Sequence, residues 1–307
     1  ERVLNSLVSS PVLFKRYYVR TTHSELGVAE PINERFAHQM HIEQATLYAH
    51  LLKELQDPSL EPRDSRFRVG VQRLMQLVID PHLAARRILQ EGPVDAATAD
   101  LCHSVLGAGR GQRLIAVIEQ AKELARSGSK CVIWVPFVDT VDTIHNALVD
   151  LGSQRLYGKQ SLDDDENTAI TREEIVERFL NDANRWVLVA NPAAGGEGIS
   201  LHSVCHHAIY AGRTYDAAHW LQSRDRINRL GMPPGVRAHI YVHESIGPES
   251  IFSIDSHINA RLVEKVSNMA SVLDDKSLKK LSLDFEDDDF EPGLFSLRDL
   301  ESFMASL

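Results

Sequence analysis

Three arginines stand within six residues of "QSRDRINRLG" (222–231), in a chain whose formal net charge is −10. A guanidinium is a rigid fork of donors whose charge cannot be titrated away, which suits it to phosphate oxygens. A helix from about Tyr215, at 3.6 residues per turn, places Gln222, Arg226 and Arg229 on one face, with His219 joining them a turn earlier. Trp220 and Ile227, seven apart, anchor the opposite side in the core, and Arg224 points elsewhere, toward Asp225 or a neighbouring acid. A second stretch, "NPAAGGEGIS" (191–200), carries Gly195, Gly196 and Gly198. Glycines let the backbone take positive φ and approach a ligand closely, and successive N–H groups in such a turn cradle an anion. Taken alone, the arginines also fit a surface salt-bridge ladder and the glycines a tight connection.

Elements around these stretches decide between the readings. "RLIAVIEQAKELARSG" has helical period and stops at Gly128; "KCVIWVPF" is a continuous apolar run, the mark of a strand buried on both faces. A helix in "TVDTIHNALVDLG", a strand in "QRLYG" and a helix in "TREEIVERFLND" follow, the last with Thr171 and Glu174 at capping-box spacing. "RWVLVA", "VCHHAIYA" and "VRAHIYVH" are further strands. Strands alternating with helices mean a parallel sheet covered on both faces, a doubly wound α/β lobe over 111–272. Both chemical stretches then follow strands, which puts them at carboxyl ends, where open α/β sheets bind ligands. The first 110 residues show no strong strand after residue 25. "HQMHIEQATLYAHLLKEL" and "RFRVGVQRLMQLVI" have helical period, so an extended lead-in and a helical subdomain are expected.

Composition sets the limits. At 307 residues, 43% hydrophobic and 25% charged, the chain is an ordinary globular one with a real core. It has no run of 18 apolar residues, so no membrane span is expected. Cys102, Cys131 and Cys205 lie far apart, which argues for a reducing, cytoplasmic compartment and against a disulfide framework or cysteine zinc site. The start, "ERVLNSLVSS", is neither a signal peptide nor a natural initiator and reads as an artificial boundary. Six acids fall between Asp284 and Glu291, within an acidic tail over 273–307. Such a tail is a solvated segment or, given Phe285, Phe290, Leu294 and Phe295, a DNA-mimicking piece or docking piece for a protein partner.

Together the two stretches resemble motifs five and six of superfamily-two helicases, most closely the DNA translocases of the Swi/Snf family. A-G-G-x-G-x-x-L is matched by Ala194 to Leu201, and Q-x-x-D-R-x-x-R-x-G by Gln222, Asp225, Arg226, Arg229 and Gly231. "YYVRTTHSEL…PIN" looks like the segment joining two motor lobes, "LMQLVIDPHL" like the family's L-x-x-x-x-x-H-P-x-L helix, and "KCVIWVPF", "QRLYGK" and "REEIVERF" like its next strand, R-x-x-G strand and helix. The departures are Asn228 where the family has histidine, and "TYDAAHW" in place of its W-N-P. The resemblance divides the chain into an interlobe connector (1–36), a helical subdomain (37–110), a RecA-like C-terminal lobe (111–272) and the acidic tail. The absence of lysine-rich extensions looks prokaryotic, and restriction or phage-defence motors are an analogy.

The resemblance implies the second motor lobe of an ATP-dependent double-stranded DNA translocase or helicase. ATP and Mg²⁺ would be held mainly by an N-terminal RecA-like lobe of the same protein. Carried over by position, Arg229 is the arginine finger and Arg226 a second γ-phosphate contact. Gln222 and the Gly196–Glu197–Gly198 loop couple nucleotide to DNA, and Ser200, Tyr157 and Lys159 contact the phosphate backbone. No G-x-x-x-x-G-K-[ST] is present, since Gly158-Lys159 is followed by Gln160, and no apolar strand ends in Asp-Glu. No significant ATPase is therefore expected from this chain alone, and no metal site is predicted within it. The alternative is a catalytically inactive helicase-like lobe serving as a DNA- or protein-binding scaffold. An RNA helicase lobe of the DEAD-box type would carry H-R-x-G-R-x-x-R, which this chain lacks. His38 and His41, read as i and i+3 on a helix, and His206 and His207, adjacent on a strand, are assigned to packing.

Overall fold

The computed structural model describes residues 26–157, 171–195, 199–248, 253–272 and 294–307. Its centre is built from apolar runs. β2 (Lys130–Trp134) and β4 (Val187–Ala190) are mostly apolar and buried almost throughout, and β5 (Cys205–Tyr210) buries Cys205 and its last three residues. Residues that are apolar on both faces of a strand need cover on both, which central strands of a parallel sheet receive. With β1 (Ile32–Gln39), β3 (Gln154–Leu156) and β6 (His239–Ile246) they form a six-stranded sheet in the order β1-β6-β5-β2-β4-β3. Every pairing in it is parallel.

Helices α1 (Ile42–Glu54), α2 (Ser65–Ile79), α3 (Pro81–Gln90), α4 (Ala96–Gly107) and α5 (Gln112–Arg126) connect β1 to β2. From there α6 (Val138–Ala147) leads to β3, α7 (Arg172–Asn181) to β4, the single turn α8 (Pro192–Gly195) to β5, and α9 (Ala217–Asp225) to β6. Crossovers in parallel sheets are almost always right-handed. The chain first moves toward β3 and then returns, so that rule sets α5 and α6 on one face and α7 and α9 on the other. This is the doubly wound arrangement expected from the alternating pattern. Thr171 and Glu174 form the expected capping box: Glu174 N–H donates to the Thr171 hydroxyl at 3.2 Å, and Thr171 N–H to the Glu174 carboxylate at 2.8 Å.

Three expectations fail. "INERFAHQ" is a strand, although none is expected after residue 25: β1 pairs with β6 over eight positions, from Ile32↔His239 to Gln39↔Ile246. As an edge strand it needs little apolar content, and Glu34 and Arg35 point to water. His38 therefore lies on a strand, 2.9 Å from His243, while His41 caps α1 by accepting from Gln44 N–H at 3.1 Å. Finally, the end of the acidic tail is not simply solvated. Helix α11 (Leu297–Ser306) buries Leu300 and Phe303 fully, with the Phe303 ring 6.3 Å from that of Phe67 on α2. The acids from Asp284 to Glu291 lie outside the described residues, as does "DDDENT".

Buried ion pairs tie the ends of the chain to this core. Asp299 in α11 receives Arg261 at 3.0 Å and Lys265 at 2.8 Å from α10 (Ile254–Val272). Asp255, at the start of α10, meets Arg113 of α5 at 2.8 Å, and both are almost fully buried. Removing one partner of such a pair strands a buried charge and costs roughly 3–5 kcal/mol. The Tyr48 hydroxyl of α1 accepts from Ile254 N–H at 2.8 Å, so the helical segment after β1 shares the core of the sheet.

Candidate functional site

Helix α9 carries the arginine stretch, and its direction sets where the arginines go. Asp216 starts it, accepting the His219 N–H at 3.0 Å and meeting the His219 ring at 2.8 Å. Burial works against the Asp216 charge, but the hydrogen bonds from the His219 ring and backbone hold its carboxyl below the usual range. β5 ends at the carboxyl edge of the sheet and β6 begins at the amino edge. The nine residues of α9, about 13 Å long, therefore run back antiparallel to the strands. Arg226, its C-cap, arrives at the amino edge, beside the entrance to β5.

The glycine stretch makes the same descent. It leaves β4 at the carboxyl edge and turns through α8. By Leu201 it stands below β5, where the Leu201 carbonyl accepts from Cys205 N–H at 2.9 Å. The two stretches meet there. Arg226 Nη1 donates to the Ile199 carbonyl at 3.1 Å, and the Arg226 carbonyl accepts from Leu201 N–H at 2.9 Å. Arg229 Nη1 reaches Ser200 Oγ at 3.4 Å, and Ser200 Oγ lies 3.0 Å from His202 Nδ1. The expectation that both stretches lie at carboxyl ends is thus corrected. One spans the sheet from edge to edge, and the arginines join its lower end because a helix antiparallel to the strands carries them there.

The expected helical face is also shorter than the sequence suggests. α9 ends at Asp225, so Gln222 is on it, Arg226 caps it, and Arg229 follows on a turn. Gln222 and Arg229 are exposed and Arg226 is half-buried. Burial first, then the Arg229 charge, lowers the Arg226 pKa, but a guanidinium so shifted still stays charged near neutrality. Arg229 has a neutral hydroxyl, not a carboxylate, as its described partner. Trp220 and Ile227 are buried as expected. Arg224 is buried too; it donates to Asn33 Oδ1 at 3.3 Å and lies over the Trp220 ring, 5.2 Å from its centroid. Gly231 has φ +98°, and a Cβ there would come within 3.1 Å of His202 Nε2, so both backbone and space favour glycine.

Tyr157 is not brought to the arginines. It follows β3 at the carboxyl edge, half-buried and packed on the core. Lys159, Gly196, Glu197 and Gly198 lie outside the described residues. At the carboxyl edge the structure adds Asn191, which sequence reasoning passed over. Its N–H donates to the Leu156 carbonyl at 3.0 Å, its Nδ2 to the Pro136 carbonyl at 2.5 Å, and its Oδ1 accepts from Ala193 N–H at 2.8 Å. One residue, through its backbone N–H and its side-chain amide, thereby gathers the ends of β2, β3 and β4. The signal was a polar residue at the end of a wholly apolar strand and before Pro192. Among the described residues, His50, Glu54 and Asp95 approach as cation ligands would, but His50 Nε2 is already 2.9 Å from Thr98 Oγ1. Cys102, Cys131 and Cys205 are all free and buried. Among the described residues, no helix is long and apolar enough to cross a membrane.

Among solved structures, the chain is similar to the C-terminal part of the Fun30 ATPase domain. That match has 13% identity and a TM-score of 0.56, covering 90% of this chain and 97% of that one. The Sulfolobus solfataricus SWI2/SNF2 ATPase core, solved in complex with double-stranded DNA, matches at 20% identity and TM-score 0.52, covering 87% of this chain and 54% of that one. Among curated sequences, an uncharacterised ATP-dependent helicase of Mycoplasma pneumoniae is 23% identical over 168 residues, 53% of this chain and 16% of the helicase. A probable ATP-dependent helicase of Plasmodium falciparum is 25% identical over 149 residues, 48% of this chain and 7% of the helicase. The matched segments thus span a small part of those relatives. No family model matches the chain.

Proposed function

The fold is that of the RecA-like C-terminal domain of Swi2/Snf2 ATPases, and from that premise we propose that the chain is the second motor lobe of an ATP-dependent double-stranded DNA translocase. An N-terminal RecA-like lobe of the same protein would hold ATP and its Mg²⁺. Arg229 is the finger that meets charge developing on the γ-phosphate. Arg226 clamps the glycine stretch beside it and adds a second phosphate contact when the lobes close. The observation that carries this reading is the exposed Arg229 guanidinium, with only a neutral described partner, at the point where the two stretches are tied together. In a protein of net charge −10, an exposed cation without a carboxylate partner among the described residues suits an anion brought from outside.

Tyr157, which follows β3 at the carboxyl edge, is proposed with Lys159 to contact the DNA backbone. Phosphate contacts of that kind require no base readout. Gln222, on α9, and the Gly196–Glu197–Gly198 stretch of the sequence would couple DNA to nucleotide. Ser200 belongs with Arg229 and His202 on the nucleotide side.

The test joins this chain to the upstream lobe and measures ATP hydrolysis with duplex DNA, single strands and RNA. Duplex DNA should stimulate most, and Arg229→Ala should remove on the order of 10³-fold in kcat, as loss of an arginine finger does elsewhere. Unchanged turnover in that variant would remove the finger assignment.

A further inference from the structure

Arg229 is exposed, on a turn beyond the end of α9, and the contact that steers it is a 3.4 Å bond to Ser200 Oγ. A bond that long to a rotatable hydroxyl does not by itself fix a guanidinium, and rate is lost steeply when a reacting group is misplaced by an ångström. His202 supplies the restraint. Its Nδ1 lies 3.0 Å from the same Ser200 oxygen. The ring is confined by Gly231, two residues beyond Arg229, where even a Cβ would come within 3.1 Å of Nε2. The His202 backbone carbonyl is held in turn by His206 Nε2, which donates to it at 2.9 Å. One imidazole thus registers both the hydroxyl that Arg229 touches and the backbone just past Arg229.

We propose that His202 is a positioning residue for ATP hydrolysis: its Nδ1 accepts the Ser200 hydroxyl proton and thereby turns the Ser200 oxygen to receive Arg229. The inference rests on the reading of Arg229 as the finger. In a chain of hydrogen bonds running one way, each donor strengthens the next. The direction Arg229 N–H to Ser200 O, then Ser200 O–H to His202 Nδ1, leaves no group in conflict. It requires a neutral imidazole. Burial first, then the Arg229 charge and then His206 hold the His202 pKa below its ordinary 6.5, so the ring is neutral at physiological pH. Among the described residues, the charged or titratable groups facing it are Arg229 and His206; Ser200 and Gly231 bring no charge. Protonation would reverse the Ser200 bond and set a second cation beside the finger.

The experiment uses the two-lobe protein with duplex DNA and compares wild type with His202→Leu, His202→Asn and Arg229→Ala. Asparagine Oδ1 stands as many bonds from the backbone as histidine Nδ1 and accepts a hydrogen bond. His202→Leu should lower kcat roughly three- to tenfold, the equivalent of one hydrogen bond, with KM for ATP little changed. His202→Asn should restore most of that loss. Wild-type kcat should fall where acid protonates the His202 ring, at a pH below the ordinary 6.5 of histidine, and the asparagine variant should lack that limb. Wild-type kcat in the leucine variant, an asparagine variant as slow as the leucine one, or an acid limb that survives in it would overturn the role of His202. If the leucine variant does not fold, the asparagine variant and the two pH profiles decide. Loss of turnover in Arg229→Ala with none in the His202 variants refutes His202 alone, whereas unchanged turnover in Arg229→Ala refutes the finger and this inference with it.

Discussion

Arg213 and Arg224 both lie over the Trp220 ring, their guanidinium carbons 5.3 and 5.2 Å from its centroid, while Arg226 and Arg229 reach out to the loop before β5. All four belong to one short stretch around α9. Burial lowers the pKa of Arg213 and Arg224, and each is bound to protein: Arg213 to Glu244 and to Asn259 Oδ1 at 3.1 Å, Arg224 to Asn33. Arg226 is half-buried and Arg229 exposed beside a hydroxyl. The lesson is that arginine count near a phosphate motif says little; what separates structure from recognition is whether a guanidinium's partners are already inside the chain.

That contrast is open to attack. Arg229→Ala in the two-lobe protein should have the largest effect, on the order of 10³-fold in kcat, or about 4 kcal/mol, with the thermal midpoint unchanged. A midpoint that falls with the activity would put Arg229 among the structural arginines. Arg213→Met should do the reverse. Among the described residues Glu244 then keeps only the mostly exposed Arg35 as an arginine partner, so unfolding stability should drop by roughly 3 kcal/mol in a urea titration, while kcat of the folded fraction holds. Arg224→Leu should cost about 1 kcal/mol or less, since it gives up one long bond and one cation–π contact. A loss of several kcal/mol there would show that Trp220 depends on both cations.

Acid is the gentlest probe. No arginine changes charge between pH 4 and 8, whereas a histidine's ordinary pKa of about 6.5 lies inside that window. Burial, then the charges of His38 and Arg113, push His243 down to about 3. Burial, then His239 and His206, push His207 to about 4. Unfolding returns both toward 6.5, so the unfolded chain takes up protons that the folded one refuses. Their contribution is complete above pH 6.5 and is lost as pH falls toward 4. Denaturant midpoints followed across that window should decline, and less so in His243→Phe; a flat profile would contradict it.

The sheet was legible because two of its central strands, β2 and β4, are nearly continuous apolar runs, which have few other uses. β1 was not, because five of the eight residues of "INERFAHQ" are exposed and its apolar positions alternate too weakly to stand out. α11 was hidden by its acidic surroundings, although Ser296 and Asp299 have capping-box spacing and Leu300, Phe303 and Leu307 recur on one face. At the site, residue types and pairing of motifs were readable from local spacing. Which edge of the sheet they occupy was not, since that depends on a loop and a helix both crossing the strands before they meet. Asn191 and His202 were missed for a related reason. Each acts through contacts with distant backbone or loop atoms that no periodicity encodes.

The pairing of β1 with β6 has a mechanical consequence. The chain that precedes Ile32 runs directly into a strand held along eight paired positions, parallel to its neighbour. Tension arriving through that chain acts along the strand axis, so the ladder is loaded in shear and its bonds share the force instead of opening one after another. The opposite margin of the sheet ends in the three-residue β3, whose short ladder would share a pull among far fewer bonds. A load entering through β1 is therefore passed to β6 along the whole of that ladder, and from β6 to β5.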